Sequence, residues 1–205
     1  MALISVSNNA LSNISVLPAA IPTGALTLIK SITASASASI EFINGTNGVV
    51  LDGTYSSYVF SFIDIHPQTD NVQFTFNMST DGGSNYNVAK TTTYFLSRHA
   101  EDGSSSELSY KTGLDLAQGT GFQPLSIDQI NDNDSSVVGY LHLFNPSSTT
   151  FVKHYISRTQ QMQVDDSMEN YSAGYFNTTS AIDAIRFQYS NGNIDAGSIL
   201  MFGIN

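Results

Sequence analysis

Residues 184–204, AIRFQYSNGNIDAGSILMFGI, decide the fold class. Ile185, Phe187 and Tyr189 alternate with Arg186, Gln188 and Ser190. That period of two gives a strand with one buried and one wet face. Asn191, Gly192 and Asn193 follow, residue types that tolerate the left-handed backbone of a turn. SILMFGI (198–204) is then apolar on both parities. The stretch reads as a hairpin of two strands. A strand apolar on both sides is a pairing hazard at an open edge. It is therefore expected to be central in its sheet or covered by a neighbouring subunit.

The same texture continues toward the N-terminus. VQFTFNMS (72–79) alternates Val72, Phe74, Phe76 and Met78 with Gln73, Thr75, Asn77 and Ser79, which predicts a strand with one wet face. YVFSFIDI (58–65) is apolar on both parities and predicts a central strand covered on two sides, ended by His66-Pro67. TTTYFLSR (91–98), SSVVGYLHLF (135–144) and TTFVKHYISR (149–158) are further strands, the last two joined by a turn at NPSS. AEDGSSSELSYKTG (100–113) and TQQMQVDDSMENY (159–171) read as long polar loops at the ends of the fold. SIEFINGTNGVVL (39–51) reads as a hairpin around Asn44–Gly48. Helix signals are poor: 13 of the acids are Asp and four are Glu, and Gly and Asn interrupt often. Some ten short strands with long loops predict an all-β sandwich of jelly-roll type. Its β domain spans 51–205, preceded by an irregular N-terminal arm and hairpin over 1–50.

Composition narrows the function. The chain has 205 residues, a 12% charged fraction and a net charge of −10. The charged fraction is about half the usual value, so Ser, Thr and Asn supply most of the polarity. The seven basic residues are scattered, and a net-negative chain repels phosphate backbones, so no nucleic-acid partner is expected. There is no Cys, which excludes a disulfide framework or a Cys-ligated metal. No basic, apolar leader opens the chain and no stretch approaches 18 apolar residues, so synthesis in a cytoplasm and no membrane span are expected. Six Asn-x-Ser/Thr triplets, at Asn13, Asn44, Asn77, Asn133, Asn170 and Asn177, are what chance supplies in such a composition.

The search for chemistry finds no nucleophile elbow, phosphate loop or His-Glu-x-x-His motif. No catalytic residue, cofactor or metal ligand is assigned. His142 and His154 flank the NPSS turn and could face each other across a hairpin. His66 reads as the cap of a strand end, and His99 sits beside Glu101 and Asp102 in a polar loop. Asp132-x-Asp134-x-Ser136 resembles the start of a calcium loop, but Val137 replaces the required Gly and Leu143 the closing Glu. Exposed Tyr beside Asn and Asp is what a sugar-binding loop uses. Tyr55, Tyr58, Tyr86, Tyr94, Tyr110, Tyr171 and Tyr175 are the candidates, with Tyr110 and Tyr171 of the two long polar runs singled out for binding glycan, against ordinary strand and interface roles for them all.

Several segments together resemble a family. They are YSSYVFSFIDIHPQTDNVQFTF (55–76), STDGGSNYN (79–87), DLAQGTGF (115–122), LFNPSSTTFVKHYISR (143–158) and AGYFNTTSAIDAIRFQYSNGNIDAGSILMFGI (173–204). The pattern resembles structural proteins of marine tailed phages, notably those of cyanobacteria, over about residues 52–204. The resemblance implies a non-enzymatic virion component of β-sandwich type, either a capsid decoration or part of a tail or fibre. On that reading the chain packs with other copies of itself, with a homotrimer the candidate form, and attaches to other virion proteins through residues 1–50. The alternative is a tail-fibre-type module that recognises host surface glycan.

Overall fold

The computed structural model describes residues 26–205. Twelve strands follow in chain order: β1 (Leu26–Thr33), β2 (Ile40–Ile43), β3 (Ser57–Pro67), β4 (Phe74–Ser79), β5 (Lys90–Ala100), β6 (Ser106–Tyr110), β7 (Gln123–Pro124), β8 (Val137–Phe144), β9 (Lys153–Gln163), β10 (Asp166–Phe176), β11 (Ala184–Tyr189) and β12 (Ile194–Ile204). They form two antiparallel sheets. One has eight strands in the order β1-β12-β3-β8-β9-β10-β5-β6, and the other has four in the order β2-β11-β4-β7. The two inner faces share one core, so the chain is a β-sandwich. The strands divide eight and four between the two layers. Among the described residues no helix is long and apolar enough to cross a membrane.

The stretch that announces the fold is not a hairpin. β11 pairs with β2 and β4 in the smaller sheet, while β12 pairs with β1 and β3 in the larger. Residues 190–193 therefore carry the chain across the core from one sheet to the other. The alternation of β11 explains this: Phe187 and Tyr189 pack inward from one layer, and Ile199 and Met201 of β12 from the opposite layer. Aromatic rings fill the space between. Phe187 contacts Phe60 at 5.4 Å and Phe62 at 5.4 Å, Phe62 meets Phe74 edge-on at 5.2 Å, and Phe76 meets Tyr155 at 4.9 Å. Such pairs each add about 0.5–1.5 kcal/mol beyond the area they bury.

Four other expectations change. First, residues 26–50 are woven into the sandwich: β1 pairs with β12 along an edge, and β2 pairs with β11. The chain after the Asn44–Gly48 turn does not return beside β2, so no hairpin forms there. The part of the expected arm before residue 26 lies outside the described residues. Second, 159–171 is no long loop. β9 and β10 pair from Gln163↔Asp166 onward, leaving Val164 and Asp165 as a two-residue turn. Third, 100–113 contains β6, an edge strand on β5. Long polar runs mislead here because Gln, Ser, Thr and Asn occupy inner positions of these strands.

The fourth change concerns β4, whose expected wet face is buried: Thr75, Asn77 and Ser79 are 3%, 0% and 0% exposed. Coil covers it, and Asn77 Nδ2 donates to the carbonyls of Tyr86 at 2.6 Å, Thr120 at 3.0 Å and Gly121 at 3.3 Å. A comparable polar floor lies beneath β9, β10 and β5. Tyr94 donates to Asn170, Asn170 to Gln161, Thr92 to Gln123, and Gln161 to the Ile127 carbonyl. Buried polar groups are stable only when paired in this way. At one end of this floor the register sets Lys90, Phe176 and Lys153 side by side. Both lysines are fully buried and donate to backbone carbonyls, Lys90 to Val88 and Gly121, and Lys153 to Ser148, Phe151 and Thr178. Burial pushes the Lys90 ammonium down to about 7, and that of Lys153 also down.

Candidate functional site: the outer face of the eight-stranded sheet

Successive side chains of a strand point to opposite sides, so the register places every outward residue of the larger sheet. One row crosses all eight strands: Ser31, Leu200, Ser61, Tyr140, Arg158, Tyr171, Phe95 and Tyr110. The next row reads Leu28, Phe202, Val59, His142, Ile156, Ala173 and Thr93. Flanking rows add Leu26, Ile204 and Phe144 on one side, and Val138, Gln160, Glu169 and Leu108 on the other. Large apolar groups lie open here: Leu28 is 53% exposed, Phe95 39%, Tyr140 41%, Ile156 51% and Leu108 76%.

Tyr110 and Tyr171, expected in separate loops, share one row with Phe95 between them. The geometry of each differs from a sugar platform. Tyr171 stacks on Phe95 with ring centroids 4.7 Å apart and planes 6° from parallel. Its other flank is β9, from which the Arg158 guanidinium lies 5.4 Å from the ring centroid. Both π-faces of Tyr171 are therefore occupied, and only the ring edge meets solvent. Arg158 in turn pairs with Glu169. That hydrogen bond holds the Glu169 carboxyl below its ordinary range, and the Glu169 bond raises the Tyr171 hydroxyl. Tyr110 is half exposed at the sheet edge, and its hydroxyl donates to Asp115 at 2.6 Å, which raises its pKa.

The remaining candidates are held by the fold. The β8–β9 register pairs His154 with Phe144 and His142 with Ile156, so the two histidines are diagonal neighbours rather than partners. His142 packs against Phe144 with ring centroids 3.9 Å apart and tilted by 31°, and has Ser57 Oγ 3.0 Å from Nε2. Burial lowers its pKa. His66 Nε2 donates to the Asp132 carbonyl at 3.1 Å, and its Nδ1 lies 3.7 Å from Asp195. His66 and Asp195, with Asp64 and Asp134, line an open hollow of about 430 Å³ at one end of the sheet. His99 is exposed on β5, while Asp102 accepts from the Ser104 amide within the β5–β6 turn. Among the described residues no group of three His, Asp or Glu side chains is placed to hold a metal ion.

Sequence reasoning found two members of the central row but not the row itself. The signal was present in the both-parity apolar strands 58–65 and 198–204, which imply a cover on each side. The core supplies one cover, and on the outer side Ile63 is exposed and Val59, Leu200, Phe202 and Ile204 are part-exposed among the described residues. Comparison of the chain with family models, curated proteins and solved structures gives no match.

Proposed function

We propose that this chain is a non-enzymatic structural protein of a tailed-phage virion, a capsid decoration or head-or-tail appendage that works by packing against protein on the particle. The observation that carries this reading is the broad outer face of the eight-stranded sheet, apolar and open. Monomeric proteins rarely expose a contiguous patch of more than a few hundred Å² without a partner for it. The resemblance to marine phage structural proteins supports the virion as the place where that partner is met.

Labelled antibody against the chain, viewed on intact particles by electron microscopy, tests the reading. Label at a fixed position on head or tail is the expected result, and particles without label contradict it. Attachment through the N-terminal arm is tested by deleting residues 1–25 only. Deleting 1–50 would remove β1 and the β2 partner of β11 and so damage the sandwich itself. The 1–25 deletion is expected to fold and to be lost from particles.

A second reading, recognition of host surface glycan, rests on Tyr110, whose ring is half exposed at the rim of the sheet. It predicts glycan-array binding that Tyr110→Ala abolishes and Tyr171→Phe leaves intact, since the Tyr171 ring faces are already filled.

A further inference from the structure

The proposed function leaves the partner of the open face unnamed, and resting on that reading we propose that it is a second copy of this chain, packed face to face about a two-fold axis parallel to the strands. Three observations lead there. The first is charge. The chain carries −10, yet in the four outward rows the formal charges are Arg158 and Glu169, which pair with each other, and Asp64 on the β3 bulge at one end. The titratable groups beside them are His142 and His154. Copies of a strongly acidic chain repel one another except where a neutral patch lets them approach.

The second observation is area. Eight strands spaced about 4.8 Å apart, with outward rows along about 25 Å of strand, give a face of roughly 800–900 Å². A stable interface of ordinary size needs about 800 Å² from each partner. The third is self-complementarity. An axis parallel to the strands between β8 and β9 sets the half of one copy that carries Leu28, Leu200 and Phe202 on the half of the other that carries Tyr171, Phe95 and Tyr110. It also brings Tyr140 of each copy toward Arg158 of the other, a cation–π contact at the centre. Aligned packing of two sheets about 10 Å apart is an ordinary way to bury such faces.

Sedimentation velocity on the purified full chain, from sub-micromolar to about 100 µM, tests this. The expected species is a dimer. Ile156→Glu, at an exposed position in the centre of the face, is expected to raise the dimer dissociation constant at least ten-fold. Phe151→Glu, exposed in the β8–β9 connection and off the face, is expected to leave it unchanged. Thr93→Glu, on the same row as Ile156, gives the same loss should Ile156→Glu melt early. A monomer throughout, a trimer, or a dimer indifferent to both face variants overturns the inference. The two readings separate cleanly. A monomer that labels particles refutes the self-contact alone, and a dimer absent from particles refutes the virion role alone.

Discussion

Lys90 has no carboxylate beside it among the described residues and is held by burial against Phe176 and by two backbone carbonyls. With its folded pKa near 7 against about 10.4 in an unfolded chain, the two states bind protons differently between those values. In that window the unfolded chain keeps the proton that the folded chain has released, so stability rises with pH. The slope is at most about 1.4 kcal/mol per pH unit, and it fades as the pH falls below the folded value. Urea unfolding at pH 6, 8 and 9.5 is expected to show the rise, and Lys90→Met to reduce it. An identical slope in the variant would contradict this assignment. Nothing in the sequence announced the role. A lysine opening the strand KTTTYFLSR reads as a wet terminus, and only the register that places it beside Phe176 and Lys153 reveals a buried row.

At the scale of elements, Val164 is the clearest point of strain. It turns the β9–β10 hairpin at a φ of +52°, a backbone that a β-branched residue rarely adopts, and its side chain is 58% exposed. The first residue of such a two-residue turn favours glycine. Val164→Gly is expected to raise stability by about 0.5–1 kcal/mol, seen as a higher melting temperature. This residue also shows why the hairpin was illegible: Val-Asp is not a turn signature, and the polar strands on either side looked like loop. Asn77 teaches the converse. Its alternation is plain in the sequence, but a period of two cannot say what covers the second face. Asn77→Leu leaves three carbonyls without their donor and is expected to cost about 2–3 kcal/mol by chemical denaturation.

At the scale of the molecule, the β-sandwich was legible because alternation and turn residues are local signals. Strand order was not, because β11 and β12 join opposite layers through four residues that look like any turn. The candidate face was half legible. Strands apolar on both parities called for two covers, and the fold supplies one. The central claim is that the outer face of the eight-stranded sheet is a contact surface between two copies of this chain. Hydroxyl-radical footprinting of the full chain at low and high concentration tests it most directly. The account predicts that oxidation of Tyr140, Ile156, Phe95 and Phe202 falls as concentration rises while that of Phe151 stays constant. Equal reactivity of those four residues at both concentrations would contradict it.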